Sequence, residues 1–566
     1  MDKDRFWRDS VGYIIYPEAF ADSNGDGIGD INGIISKLDY LRELGVNLLW
    51  ICPLFDSPMD DNGYDVSDYY KVNPRFGTNE DLINMLHAAH QRGIRVLLDL
   101  TINHTSKEHP WFKKALEDPD SPERKYYFFR KGRRVDGKLL PPNNWESFFM
   151  TSAWENVPGT DDFYLHMFSS SMPDVDWSNK ELRQRYHEIA RHYLELGFDG
   201  FRLDALAHIA KAPGLPDSPK EKDSTGCVMD TSMFSNRPEV YDYLKEFKDE
   251  VFSHYRCLIV GEAGGCISPE QCATLVDRKS GCIDMAFNFD TVWENGAFGS
   301  IDKDDSQIKT DLISLKKNFM RWYDVCHGRC DMPVYWCNHD HPRALSQYGS
   351  TAFRNESAKC LLITLLFLYG TPFIYQGDEI GMSNADYSAV EDFFVDVGER
   401  NEVALLRKQG YAEDRILSYL RRTSRVNART PFQWDRSYNA GFSSGKCRCK
   451  VNSNYLHGVN ALDEMNDPWS IINFFQYAIG KRRIPWVNDK VLNGELKILD
   501  MNHPDVFAYI HEGDDKLVVI SNFRPYEVKF SFYWRIKDVI LHNYDGVLYS
   551  DHVFTLRPFE SFLLKV

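Results

Sequence analysis

The sequence predicts an α/β fold: a (β/α)8 barrel of the TIM type, with a subdomain inserted after strand three and an antiparallel β-sandwich domain at the C-terminus. Three observations carry that expectation. Short runs rich in Val, Ile and Leu alternate eight times with stretches of helical periodicity, the pattern of repeated β-α units around a parallel sheet. Two connections are far longer than the ~2–6 residues usual in such units. Beyond about residue 481 the apolar period falls to two.

The eight runs are Val11 to Phe20, Val46 to Phe55, Ile94 to His104, Phe198 to Leu206, Cys257 to Ala263, Cys282 to Phe289, Val334 to Asp340 and Thr371 to Gly377. Amphipathic helix candidates lie between them: Ile31 to Leu44, Glu80 to Arg92, Lys180 to Leu196, Pro238 to Tyr255, Ser306 to Cys326 and Glu356 to Leu368. Eight alternations imply a closed barrel rather than an open sheet. The segment 105–173 follows the third run, is rich in Pro, aromatic and charged residues, and reads as an inserted subdomain; residues 1–104 and 174–480 then form the barrel. A second long insertion, about 382–467, follows the eighth run. In the terminal segment 481–566, Tyr526, Val528, Phe530, Phe532 and Trp534 alternate with Glu527, Lys529, Ser531 and Tyr533, which predicts an antiparallel sheet with one face buried.

Composition narrows the functional classes. A net charge of -17 argues against a nucleic-acid partner, because such binding draws its affinity from Lys and Arg neutralising phosphates. The basic run Arg130, Lys131, Arg133 and Arg134 reads as a solvated hairpin. The first residues lack the apolar stretch of a secretion signal, and no window of about 18 apolar residues could span a bilayer, so a cytoplasmic protein without a membrane partner is expected. The twelve cysteines lack a zinc-like pair of pairs and read as buried thiols, Cys447 and Cys449 being the nearest thing to a motif.

In barrels of this kind the chemistry sits at the C-terminal ends of the strands. Those positions are unusually acidic here: strand three ends Asp99-Leu-Thr-Ile-Asn103-His104, strand four Arg202-Leu-Asp204, strand five Gly261-Glu262 and strand seven Asn338-His339-Asp340. One such acid could simply cap the following helix. Three converging acids repel one another and persist mainly where perturbed protonation is used. Arg202 and Asp204 are two apart on a strand and point to the same face, so the guanidinium should hold Asp204 ionised. An ionised carboxylate beside a protonated carboxyl is the pairing that retaining glycoside cleavage needs, which makes Asp204 the candidate nucleophile and Glu262 the candidate acid/base.

These segments, with Gly370-Thr-Pro-Phe-Ile-Tyr-Gln-Gly-Asp-Glu379 and Asn427-Ala-Arg-Thr-Pro-Phe-Gln-Trp434, resemble the α-amylase family of glycoside hydrolases (family 13), in particular its oligo-1,6-glucosidase and α-glucosidase subgroup. The resemblance runs nearly end to end. It implies Asp204 as nucleophile, Glu262 as general acid/base and Asp340 as the third acid that binds sugar hydroxyls. It also implies a glucose site lined by Asp61, Tyr64, His104, Arg202 and His339, with one further sugar-binding arginine that is either Arg425 or Arg429. Within the subgroup, Val just after the nucleophile goes with α-1,6 bonds and Ala or Thr with α-1,4; here the residue is Ala205. Met172-Pro-Asp-Val-Asp-Trp177, His341 and Glu18 depart from the commonest pattern. Trp145 and Phe163 are candidate stacking platforms.

The loop after strand one, Asp22-Ser-Asn24-Gly-Asp26-Gly-Ile28-Gly-Asp30, places oxygen donors at alternate positions. Ca²⁺ accepts such a set, and the resemblance implies structural Ca²⁺, with Mg²⁺ the alternative, and no organic cofactor. The expected function is therefore a retaining, exo-acting hydrolase of α-1,4-linked terminal glucose in short α-glucosides, acting as a monomer or weak homo-oligomer. The alternatives are an oligo-1,6-glucosidase, a sucrose isomerase or transglucosylase, against which no arginine-rich loop follows strand six, and a non-catalytic barrel module, which would tolerate lost acids.

Overall fold

The computed structural model describes residues 5–222, 226–290 and 298–566. At its centre lie eight parallel strands: β1 Gly12–Ile15, β2 Leu48–Ile51, β3 Arg95–Thr101, β4 Gly200–Asp204, β5 Leu258–Ala263, β6 Met285–Asn288, β7 Pro333–Val334 and β8 Thr371–Tyr375. Their hydrogen-bonded order is β6-β5-β4-β3-β2-β1-β8-β7, so β8 returns to pair with β1 and the TIM barrel nearly closes. Across the remaining seam the Tyr335 hydroxyl donates to the Asn288 carbonyl at 2.7 Å. The strands are buried on both faces, which is why they read as continuous apolar runs and not as alternations.

Seven of the eight strands lie within their expected runs. The seventh differs most: beyond Val334 the chain leaves the sheet, held by Trp336 Nε1 on the Leu361 carbonyl at 2.8 Å and by the Asn338 side chain on the Asp340 N–H at 2.8 Å. Lys180–Leu196 is one helix, capped by Asn179 and ended at Gly197. The stretch Ile31 to Leu44 is two helices, Ile31–Ser36 and Leu38–Leu44, broken at Lys37, whose ammonium sits over the Trp434 ring at 4.0 Å. Gly200, at φ +143°, lets β4 and β5 approach: a Cβ there would fall 1.9 Å from the Leu258 carbonyl oxygen. These are the two strands that carry Asp204 and Glu262.

In the insertion after β3, the strands Phe129–Lys131, Asp162–Leu165 and Trp154–Asn156 form a small sheet; of the basic run, Arg130 and Lys131 lie on the first of these strands and Arg133 and Arg134 in an exposed hairpin, Arg133–Val135 with Lys138–Leu140. Its apolar cluster continues into Ala212, Leu215 and Phe234, so it packs on the loop that follows β4. The insertion after β8 contributes helices Val397–Gln409 and Glu413–Thr423 around Phe393, Val403 and Ile416.

At the C-terminal end, helices Ile471–Arg482 and Pro485–Asn493 carry past residue 481, and β structure begins only at Leu496. A five-stranded antiparallel sheet faces a three-stranded one across Val518, Phe530, Phe554 and Leu564. The expectation of one buried face holds for Val528–Ser531, which alternates, but not for Val506–His511 and Leu517–Asn522, which are buried on both faces. Their second face, with Phe507 and Tyr509, packs against the barrel core. No disulfide joins the twelve cysteines. Among the described residues no helix is long and apolar enough to cross a membrane.

Candidate active site

The site is organised by one buried guanidinium. Arg202 and Asp204 share the inward face of β4, and Arg202 Nη1 donates to Asp204 Oδ1 at 2.6 Å and to Asp99 Oδ1 at 3.0 Å. Its Nη2 pairs with Glu262 Oε1, at the end of β5, at 2.7 Å. The other Glu262 oxygen accepts the Ala205 N–H at 2.9 Å. Ala205 adopts left-handed backbone, φ 49°, which few residues with a Cβ tolerate, and that turn aims its N–H at Glu262. The strand-four and strand-five acids thus meet on a single cation.

Opposite protonation of the two acids is not what the site imposes. Burial pushes both Asp204 and Glu262 up to about 7, against the Arg202 charge, and pushes Asp99 up to about 6. The expectation that Arg202 alone would keep Asp204 in the ordinary carboxylate range is therefore corrected. One guanidinium divided among three buried carboxyls does not offset their desolvation.

Asp340 is held differently. Its Oδ1 accepts from Arg425 at 3.1 Å and Arg429 at 2.8 Å, and its Oδ2 lies 3.1 Å from His339 Nε2. Despite burial, His339 and the two arginines hold its carboxyl well below the usual range. Asp61 accepts from Arg425 at 3.1 Å. The Tyr64 hydroxyl donates to Asp99 at 2.9 Å and lies 2.6 Å from His339 Nε2, with the two rings stacked. Burial lowers His104 to about 4, so it is neutral, and its Nε2 has no hydrogen-bond partner among the described residues.

Asp61, Tyr64, His104, Asp204, Glu262, Asp340 and Arg425 line one cavity of about 730 Å³. Arg429 does not: it is 4 % exposed and sits behind Asp340, with Nε on the His339 carbonyl at 2.9 Å. Arg202 and His339 are likewise buried beneath the lining, and Ala205 contributes its N–H to Glu262. Trp145 and Phe163 are buried in the insertion's own cluster and are not platforms; Phe148, Phe149, Phe168 and Phe289 are the rings on the cavity wall. Nothing in the sequence separated those rings from packing aromatics.

Asp99 and Asp396 were missed as site residues. Asp396 accepts from Arg425 at 3.0 Å and Arg429 at 3.0 Å, and also caps helix Val397–Gln409, so in sequence it reads as an ordinary N-cap. Glu18, the departure noted near strand one, is answered by Arg448 of the second insertion at 2.8 Å. Residues 291–297, which follow strand six in the sequence, lie outside the described residues.

The loop Asp22 to Asp30 stands apart from this cavity. Asp22 Oδ1 accepts the Asn24 N–H, Asn24 Oδ1 the Asp26 N–H and Asp26 Oδ1 the Ile28 N–H, each at 2.9 Å, while Asp30 caps Gly33 at 2.6 Å. The donors are all oxygen, which suits a hard divalent cation in chemical type. Among the described residues no three His, Cys, Asp or Glu side chains converge as a metal site, and the turns close on their own bonds.

With this geometry in view, residues 14–489 match the family described as alpha amylase, catalytic domain. The chain is 38% identical to an oligo-1,6-glucosidase of Bacillus cereus over 99% of each chain. Two similar solved structures are a trehalose-6-phosphate hydrolase of Bacillus licheniformis, with 35% identity, TM-score 0.89 and 99% of each chain covered, and an isomaltulose synthase of Erwinia rhapontici, with 35% identity, TM-score 0.91 and 99% of each chain covered.

Proposed function

Since the chain belongs to the alpha-amylase family and is a glycoside hydrolase, we propose that it is a retaining, exo-acting α-glucosidase releasing α-1,4-linked terminal glucose from short α-glucosides. The observation that carries this reading is the meeting of Asp204 and Glu262 on Arg202, with both acids lining one cavity. In the first half-reaction the ionised Asp204 oxygen forms a bond to the anomeric carbon while the bond to the leaving oxygen breaks, and Glu262 gives that oxygen its proton. In the second, Glu262 takes a proton from water, whose oxygen attacks the anomeric carbon and returns the Asp204 carboxylate. Two acids titrating together near 7 suit this exchange, since one proton between them serves each half-reaction in turn. Asp340, kept ionised by Arg425 and Arg429, offers an acceptor to the sugar hydroxyls.

The α-1,4 preference rests on Ala205, and the experiment that tests it is an initial-rate comparison on maltose, isomaltose, sucrose and trehalose. Maltose is expected to lead. Ala205→Val is expected to lower the maltose-to-isomaltose ratio by about 10-fold, in line with the ~1–3 kcal/mol of one small steric change, and to lower stability because a β-branched residue at φ 49° is strained. Isomaltose dominating in the parent would replace this reading with an oligo-1,6-glucosidase. A product mixture from sucrose rich in other glucosylfructoses would replace it with an isomerase or transglucosylase.

The charge of the cavity separates neutral from phosphorylated substrates. Its lining carries eight carboxyl groups, several pushed up toward neutrality by burial, and one Lys or Arg, Arg425, which Asp61, Asp340 and Asp396 already engage. A phosphate on the leaving sugar would find no free cation there among the described residues and would meet the ionised Asp340 and Asp396, at a cost of several kcal/mol. We expect kcat/KM for trehalose 6-phosphate to lie at least about 100-fold below that for maltose, equivalent to about 3 kcal/mol; comparable values would sink this assignment.

The same reading places a structural Ca²⁺ or Mg²⁺ at Asp22, Asn24, Asp26, the Ile28 carbonyl and Asp30, supported by the run of oxygen donors at alternate positions. A chelator is expected to lower Tm by a few degrees, as for the loss of a ligand held at ~100 times its Kd, about 2.7 kcal/mol, and to leave the initial rate within about twofold. An unchanged melting curve would exclude the ion.

A further inference from the structure

A second cavity, of about 710 Å³, opens at the other end of the barrel, where the strands begin and Ser10 and Val11 lead into β1. It lies between the N-terminal segment and helices Ile471–Arg482 and Pro485–Asn493. Four arginines line it, Arg5, Arg8, Arg482 and Arg483, in a chain of net charge -17. The two acids on its wall, Asp9 and Asp489, accept from the Asn488 amide at 2.6 Å and the Asn493 amide at 2.7 Å, so the lining sets four guanidinium groups against two carboxylates.

Arg482 is 3 % exposed. Its Nε donates to the Leu366 carbonyl at 2.9 Å and its Nη2 reaches the Gly370 carbonyl at 3.5 Å. No carboxylate lies within ion-pair distance of Arg482 or Arg483 among the described residues, whereas Arg8 pairs through Nε with Asp331 at 3.6 Å and donates to the Asn493 side-chain oxygen at 3.0 Å. Burial lowers Arg482 to about 10, the sign of a cation that its surroundings do not match. Buried charge of this kind is ordinarily paired, and a guanidinium fork fits phosphate oxygens in a bidentate manner.

We propose that this cavity binds a phosphate-bearing small molecule of about sugar-phosphate size, gripped by Arg482 and Arg483 with Arg8 beside them. The ligand would tie the N-terminal segment to the helix pair that leads into the terminal sheets. It would therefore act on stability, away from the catalytic mouth, and this assignment is independent of the proposed activity.

Calorimetric titration and thermal shift on the full chain at constant ionic strength, with ribose 5-phosphate, inorganic phosphate and ribose, test it. Ribose 5-phosphate is expected to bind saturably at one site and raise Tm, and ribose to do neither; equal affinity for inorganic phosphate would identify the phosphate alone as the ligand. Arg483→Ala, on an exposed side chain, and Arg482→Gln are each expected to weaken binding at least about 10-fold while maltose hydrolysis stays within about twofold. Should Arg482→Gln fail to fold, Arg483→Ala decides alone. Absence of saturable binding by either phosphate, undiminished binding in the Arg483 variant, or displacement of the phosphate by maltose overturns the proposal.

Discussion

Asp204→Asn is expected to lower kcat for maltose by about 10⁵-fold, on the order of 7 kcal/mol of transition-state stabilisation, while making the protein more stable at alkaline pH. The loss follows if Asp204 supplies the covalent bond to the sugar, because an amide oxygen is a poor nucleophile. The gain follows from burial. The Asp204 carboxyl is raised to about 7 from an unfolded value of about 4, so the folded state holds its proton more tightly than the unfolded chain does. Its stabilising contribution is complete below pH about 4 and is lost as pH rises through about 7. Asparagine has no charge to desolvate. The variant should therefore gain roughly 1–3 kcal/mol over the parent at pH 8 and much less at pH 5, the full shift being reduced because Arg202 loses a partner. Calorimetric melts at the two pH values check this, and an equal difference at both would refute the burial argument. Glu262→Gln should behave differently: its activity loss should shrink markedly on an aryl glucoside whose leaving group needs no proton, whereas that of Asp204→Asn should not.

Arg202→Met is expected to be the most damaging single change to the fold of the site, costing about 3–5 kcal/mol, the usual penalty for removing one partner of a buried ion pair. Three carboxyls, Asp99, Asp204 and Glu262, depend on this guanidinium, and among the described residues no other cation contacts all three. Without it their pKa values climb further above the unfolded values. The destabilisation should then be small near pH 5, where the three carboxyls are protonated in the folded state of parent and variant alike, and should grow as pH rises. Activity at pH 7 should fall at least about 10³-fold, because both acids are then protonated and no nucleophile remains, with partial recovery as pH rises in the range the fold still tolerates. Arg202→Lys should restore part of the stability but less of the activity, since one ammonium cannot reach both Asp204 and Glu262 in the fork geometry. Denaturant titrations and pH-rate profiles of the two variants provide the comparison; equal stability loss at pH 5 and pH 8 would be inconsistent with the role given to Arg202.

The sequence by itself determined the barrel and the chemistry available at its mouth. Eight apolar runs alternating with helical stretches leave few ways to bury their faces other than a parallel barrel, and strand ends such as Arg202-Leu-Asp204 and Gly261-Glu262 put carboxyls at the end where such barrels react. Both signals are local: period, spacing and residue type are enough. What only the tertiary structure decided depends on long-range packing. Asp396 joined the site because Arg425 and Arg429 reach it from a later loop, although its local signal was that of a helix cap. Trp145 turned inward and Phe149 outward on the same insertion, a choice made by the loop after β4 that covers one of them. The sheets at the C-terminus are buried on both faces because one face rests on the barrel, which no alternation within a strand can announce. The protonation of Asp204 and Glu262 is the least local property of all, since a pKa sums desolvation and charge over everything within reach, and here three carboxyls from three strands draw on one arginine.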